Sequence, residues 1–234
     1  MSAVDDARAV LRGLSGSERL AYLRTHSGLP GPRANLTLAA AFAEVARDDE
    51  VRSLLTSDEE YLRFCGTVAL GPCLAEAPSP EVLAQLRSDA TDDRWRIREG
   101  VAIALQRVGD DDPDRLRSIV LDWAFDPDPL VLRAAAAAIC EPRLITDPAG
   151  AAVALEVCRR ATATVASWPA TQRRDPKLRV LRQGLGYCWS VAVAADPQQG
   201  LPAFAQLEQQ AATDADVAWI VRENRRKKRL ARLL

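Results

Sequence analysis

Asp93-Arg94-Trp95-Arg96-Ile97-Arg98 is the stretch of sequence that decides the fold, because its pattern returns three more times along the chain. The pattern is an acidic turn, a hydrophobic residue followed directly by arginine, and then small residues that open an apolar stretch. The other copies lie at 58–63, 128–133 and 216–222. The arginines that close the first three copies are 35 residues apart. A period of about 35 to 40 residues is typical of stacked helix pairs that cannot bury their apolar faces alone.

This repeat predicts an all-α fold, a right-handed α-solenoid of antiparallel helix pairs. One apolar stripe at helical spacing is formed by Ile97, Val101, Ala104, Leu105 and Val108. After it, Gly109–Pro113 combines a glycine that ends a helix with an aspartate cap and a proline for the next first turn. We predict twelve helices in all, including one over residues 34–47 and a last one over residues 215–232.

The 234 residues are expected to form a single solenoid domain over residues 1–234. Residues 58–234 carry the clearest repeats. Residues 1–33 match the repeat poorly, and terminal repeats commonly diverge because one face meets water and not a neighbour. We therefore interpret residues 1–33 as a divergent N-terminal cap.

The charge of the chain is balanced overall and uneven along its length. The sequence has 31 basic and 32 acidic side chains, a formal net charge of -1. Residues 222–234 contain seven basic residues and one acid, which leaves about -7 on everything before them. This distribution argues against a protein that coats polyanions in general, because an acidic body repels DNA.

The cysteines and the hydropathy indicate a cytoplasmic protein. Five cysteines are an odd number without a Cys-x-x-Cys pair, which favours free thiols in a reducing compartment. No secretory signal is visible at the N-terminus, and no apolar run reaches the 18 residues of a membrane span.

Common catalytic and cofactor motifs are missing from the sequence. His26 is the single histidine and is expected at a helix end, which makes histidine-based metal sites and catalytic triads improbable. The sequence contains no Gly-x-x-x-x-Gly-Lys-Ser/Thr loop and no Gly-x-Gly-x-x-Gly loop before a helix, the two glycine-rich motifs that commonly bind nucleotides. We therefore expect no cofactor and no metal.

The repeated motif resembles HEAT repeats, an armadillo-type family of helical solenoids, and the resemblance covers residues 58–234. It implies that the repeated aspartates and arginines form a ladder of side-chain hydrogen bonds between successive turns and repeats. Arg63, Arg98 and Arg133 each follow an aspartate by five positions and match those structural positions.

Two tryptophans precede a glutamate by four residues and so share a helical face with it. The pairs are Trp95 with Glu99 and Trp219 with Glu223. This combination of tryptophan and glutamate is similar to the residue types that bacterial alkylpurine DNA glycosylases built from HEAT-like repeats use. The resemblance implies that tryptophans contact the lesion and that a carboxylate stabilises the positive charge on the sugar. In that alternative the catalytic pair is Glu99 and Trp95.

The basic segment near the C-terminus is a further candidate binding surface. Its residues are Arg225, Arg226, Lys227, Lys228 and Arg229. They suit phosphates, an acidic partner or a membrane surface. The same cations also offset a helix dipole at its C-terminal end, an explanation that needs no ligand.

The leading interpretation is a noncatalytic HEAT-repeat binding or scaffold protein that recognises a protein or peptide on its concave face. Its binding residues are the two Trp–Glu pairs and the basic segment, and it has no catalytic residue. The alternative is a HEAT-like alkylpurine DNA glycosylase or a related DNA-binding repair protein, with duplex DNA as its partner. The sequence does not indicate the oligomeric state.

Overall fold

A computed structural model describes residues 2–234, and all regular secondary structure in that range is helical. The all-α prediction is confirmed. The α-helices are α1 (Ala3–Arg12), α2 (Gly16–Thr25), α3 (Leu36–Ala43), α4 (Asp48–Leu55), α5 (Glu60–Glu76), α6 (Pro80–Asp89), α7 (Trp95–Asp111), α8 (Pro113–Trp123), α9 (Pro129–Ile139), α10 (Pro148–Ser167), α11 (Pro176–Ala195), α12 (Pro197–Gln210), α13 (Ala215–Arg225) and α14 (Lys228–Ala231). Two short 3-10 helices lie at Pro142–Leu144 and Ala170–Gln172.

The chain forms two compact units that divide after Val108. The prediction of one domain over residues 1–234 stays a prediction. Within residues 2–234, no helix combines the length and the apolar character that crossing a membrane requires.

In the first unit, α5 is the central helix. It packs against α3 and α4, and α1 packs against α3. Phe42, Phe64 and Leu54 are fully buried in this core. A Cβ atom at Gly71 of α5 would lie 2.5 Å from the carbonyl oxygen of Ala104. Only glycine allows α5 and α7 to approach this closely.

In the second unit, α11 is the central helix. It packs against α9, α10, α12, α13 and α14. Its buried Trp189 donates a hydrogen bond of 2.9 Å from Nε1 to Oγ1 of Thr162 on α10. The same ring meets Phe204 of α12 edge-on at 6.3 Å. Because its polar atom is satisfied, the large indole can fill the core.

Aspartate caps begin most helices of the second unit. The caps whose side chain accepts from a backbone N–H of the first turn are Asp112, Asp128, Asp147, Asp175, Asp196 and Asp214. All but the last are followed directly by proline in the first turn. Aspartate accepts from the free N–H groups of the first turn, and proline has no N–H that needs a partner there.

Three helix boundaries differ from the prediction. Gly109 does not end α7, which continues to Asp111. The predicted helix over 34–47 is shorter and ends at Ala43. A separate helix, α4, begins at Asp48. Glu50 stabilises its first turn, because its carboxylate accepts from the backbone N–H of Arg47 at 2.9 Å. The predicted last helix is divided between α13 and α14, because Lys227 has an extended backbone.

Candidate functional site

The first turn of α7 holds an indole ring and a guanidinium group side by side at the surface. Trp95 begins the helix and is 52% exposed. The guanidinium carbon of Arg96 lies 4.6 Å from the centroid of the Trp95 ring, a distance at which cation and ring attract each other. Glu60 on α5 fixes Arg96 with a 2.9 Å ion pair. The ring is thus held in place while about half of the residue is open to solvent.

Glu99 lies one helical turn after Trp95 and is half-buried. Side chains four residues apart lie on one face of a helix. Ile97 and Val101, which belong to the opposite face, are fully buried. The indole and the carboxylate therefore share the side of α7 that solvent reaches.

A second arginine is fixed in the turn before α7. Arg94 donates to the Asp92 carboxylate from Nε at 2.9 Å and from Nη2 at 2.8 Å, and its backbone N–H donates to the same group at 2.8 Å. These hydrogen bonds lower the pKa of Asp92, although its partial burial acts in the opposite direction. Asp92 is therefore ionised at neutral pH and holds Arg94 next to Trp95.

Two arginines of the repeat, Arg63 and Arg98, have partners within their own unit. Arg63 donates to Asp89 at the end of α6, and not to Asp58. The Asp89 carboxylate is buried and also accepts from Thr67 at 2.8 Å. Arg98 donates to the backbone carbonyl oxygens of residues 92 and 93, at 2.6 and 2.9 Å. Both arginines hold structure together and neither points to a ligand site.

Trp219 of α13 has the same spacing to a glutamate as Trp95 and a different environment. A Cβ atom at Gly186 of α11 would lie 2.9 Å from the Trp219 ring and 3.2 Å from Cβ of Glu223. The guanidinium carbon of Arg182 lies 5.0 Å from the ring centroid, and Arg182 donates to Asp216. Trp219 and Glu223 thus cover the contact between α11 and α13.

The basic segment divides into two groups. Arg225 and Arg226 are paired with acids of their own unit, Glu208 at 2.6 Å and Glu223 at 2.7 Å. The three remaining cations, Lys227, Lys228 and Arg229, line a groove of about 870 Å³ together with Arg226.

The same groove contains Tyr187 of α11, which sequence reasoning missed. Nothing in its local pattern separates it from a core aromatic residue. Its proximity to the basic segment arises only when α11 and α14 pack together.

His26 and the cysteines have structural surroundings. His26 caps the end of α2 and its ring stacks on Tyr22 at 3.9 Å, as expected for a helix-end residue. The cysteines are free thiols, and burial raises the pKa of the Cys65 thiol. Residues 2–234 contain no group of three or more potential ligands arranged to hold a metal.

The acidic charge ahead of the basic segment is largely paired. Glu44 accepts from Arg8 at 2.6 Å and from Arg107 at 3.0 Å, and Arg19 pairs with Glu50 at 3.0 Å. Such pairs do not change the net charge, which stays at about -7 for the residues before Arg222. Net charge bears on binding to polyanions in general and does not describe a local surface such as the start of α7, where Arg94 and Arg96 lie beside Trp95.

Comparison with known proteins bears directly on the function. Residues 34–141, a little under half of the chain, match the model of a family described as DNA alkylation repair enzyme. The matched segment contains both Trp95 and Glu99. The leading interpretation was wrong, because this match indicates DNA repair and supports neither a HEAT-repeat scaffold nor a protein-binding role. No curated protein and no solved structure matches the chain. Residues 34–141 thus resemble a DNA alkylation repair enzyme.

Proposed function

We propose that this protein acts on alkylated DNA, as an alkylpurine DNA glycosylase or a related DNA-binding repair protein. The family match over residues 34–141 carries the proposal. The exposed ring of Trp95 and the nearby carboxylate of Glu99 support it, because both lie inside the matched segment on the solvent side of α7.

The residue types suit the cleavage of a glycosidic bond. As the bond between an alkylated purine and its sugar breaks, positive charge develops on the sugar, and a carboxylate at that position stabilises the transition state. Glu99 is the group we assign to this role. An alkylated purine carries positive charge on its ring system, and an indole face attracts such a cation. Trp95 is the ring we assign to that contact.

A base-release assay tests the proposal. Methylated duplex DNA is incubated with the protein, and free 3-methyladenine and 7-methylguanine are quantified by chromatography. We expect release by the wild type and a loss of about a hundredfold in rate for Glu99→Gln, because the amide removes the stabilising charge. The melting temperature of each protein is measured in parallel, so that rates are compared only between folded proteins.

Glu223→Gln is the matched control, because Glu223 also follows a tryptophan by four residues but belongs to the α11–α13 contact. Its rate should equal that of the wild type. If the wild type releases neither base, the glycosylase proposal is wrong. Release that survives Glu99→Gln keeps the enzyme class and removes only Glu99 as its carboxylate.

Three further parts of the proposal concern setting and architecture. Duplex DNA is the proposed partner, bound with strongly salt-dependent affinity. The cytoplasm is the proposed location, which the five free thiols support. Within each unit, we propose a solenoid of antiparallel helix pairs. The contacts of α3 with α5, and of α11 with both α9 and α13, support it.

A further inference from the structure

The groove of the second unit combines a cationic rim with an apolar wall. Its volume is about 870 Å³. Ile145 and Val191 contribute to the apolar wall. The cations that line it are Arg226, Lys227, Lys228, Arg229 and Arg232. No aspartate or glutamate lines the groove, so it presents positive charge of one sign to a ligand.

Most of this charge is not neutralised by the protein. Arg226 is paired with Glu223. Among the described carboxylates, none lies within ion-pair distance of the other four cations. Four like charges in one groove repel each other, and an anionic ligand removes that repulsion.

An exposed aromatic ring lies among these cations. Tyr187 is 40% exposed, and its ring centroid is 5.8 Å from Nζ of Lys227 and 5.0 Å from the guanidinium carbon of Arg229. Arg229 also donates a 2.9 Å hydrogen bond to the phenol oxygen. The ring and both cations are therefore ordered before any ligand arrives.

A buried asparagine holds the two sides of the groove together. Asn224 at the end of α13 donates at 2.8 Å to the carbonyl oxygen of Leu185 and accepts at 2.8 Å from the backbone N–H of Ser190, both on α11. Leu230 of α14 is fully buried below the basic residues. A preformed groove loses little conformational entropy when it binds.

We propose that this groove binds single-stranded nucleic acid, with phosphates against the four unpaired cations and an unstacked base against Tyr187 and the apolar wall. Cationic grooves with an exposed aromatic ring are the usual way to bind single strands without sequence preference. Duplex DNA keeps its bases stacked inside and would leave the ring and the apolar wall unused. The site is distinct from Trp95 and Glu99 and goes beyond the proposed base release.

Fluorescence anisotropy with a labelled oligo-dT of about 12 nucleotides tests the proposal. We expect the double variant Lys227→Ala/Arg229→Ala and the single variant Tyr187→Leu each to weaken binding about tenfold. For the double variant, the slope of log affinity against log salt should fall by about 1.4, since each phosphate contact on a single strand contributes about 0.7.

Arg222→Ala/Arg225→Ala is the matched control, because it removes two exposed cations of α13 that do not line this groove. It should change affinity by less than about twofold. Equal losses in both double variants would overturn the proposal, because they would indicate an unspecific attraction. So would a Tyr187→Leu variant that binds oligo-dT like the wild type.

Two further probes complete the experiment. A blunt duplex of the same length should bind without dependence on Tyr187. Preferential binding to vesicles of equal parts phosphatidylcholine and phosphatidylserine would overturn the proposal in favour of a lipid site. Oligo-dT contains no purine, so the result does not depend on base release, and Glu99→Gln should bind it like the wild type.

Discussion

Helices α7 and α13 carry the same Trp-x-x-x-Glu spacing and use it in different ways. Trp95 is 52% exposed and is fixed from the side by Arg96. Trp219 is half-buried and lies against Gly186 of the neighbouring helix. Equal spacing guarantees a shared helical face and says nothing about what covers that face.

The residue on the facing helix makes the difference. At Gly186 the missing side chain allows the Trp219 ring and the Glu223 stem to approach the α11 backbone. The indole of Trp95 begins its helix, and the residue is 52% exposed. One tryptophan therefore stabilises the fold, and the other is available to a ligand.

Replacing each tryptophan by alanine is the strongest test of this comparison. Trp219→Ala should lower the free energy of unfolding by about 3 kcal/mol, because it leaves a cavity between α11 and α13. Trp95→Ala should change it by less than about 0.5 kcal/mol and instead weaken binding to duplex DNA. Urea denaturation and DNA titrations of both variants measure the two effects. A Trp95→Ala variant that unfolds as readily as Trp219→Ala would remove the distinction.

Most of the fold could be predicted from local signals. The start of α8 at Pro113, after Asp112, follows from an aspartate cap and a proline. Helix α4 lies after the predicted helix over 34–47, in a stretch for which no helix was predicted. Its first turn holds three acids, and Glu50 among them is buried because it accepts from the backbone of Arg47 and pairs with Arg19. The break at Lys227 was missed because arginine and lysine are good helix formers.

The site could be predicted only in part. The spacing of Trp95 and Glu99 is local and was readable. Arg63 takes Asp89 as its partner, 26 residues away, because tertiary packing and not sequence distance decides which carboxylate it meets. Tyr187 reaches the basic segment across 42 residues through the packing of α11 against α14. Such contacts leave no periodic signal in the chain.

Glycine substitutions in α11 test the different surroundings of the two tryptophans through a smaller change in stability. Gly186→Ala should destabilise by about 2 kcal/mol, because its Cβ would lie 2.9 Å from the Trp219 ring. The matched control is Gly184→Ala, whose Cβ would lie 3.4 Å from Cγ of Arg133. It should stabilise by about 0.5 kcal/mol, since alanine is the better helix former.

The combination with Trp219→Ala identifies the cause of the Gly186 effect. Once the ring is removed, Gly186→Ala should cost much less than in the wild type, which a double-mutant cycle by urea denaturation detects. Purely additive effects would show that the clash lies elsewhere on α11.

A further predicted effect, smaller than those of Trp219→Ala and Gly186→Ala, concerns the acids that order the starts of α7 and α13. Asp92 holds Arg94 before α7. Asp214 caps α13 and pairs with Arg173 at 2.7 Å. Hydrogen bonds from Arg94 lower the pKa of Asp92. For Asp214, burial raises the pKa, but hydrogen bonds from the Val217 backbone and from Arg173 lower it by more. The net result is a lowered pKa. Each carboxylate therefore binds its proton more readily in the unfolded chain.

A lowered pKa in the folded state means that the stabilisation is present at neutral pH. It is lost as the pH falls below the usual aspartate pKa and through the lower folded one. Asp92→Asn and Asp214→Asn should each cost about 1 kcal/mol at neutral pH. Urea denaturation should show each difference from the wild type shrinking below about pH 4. A difference that stays constant down to acid pH would mean that the side chains act through shape and not through charge. In that case the two helix starts would differ from each other only in what covers their tryptophans.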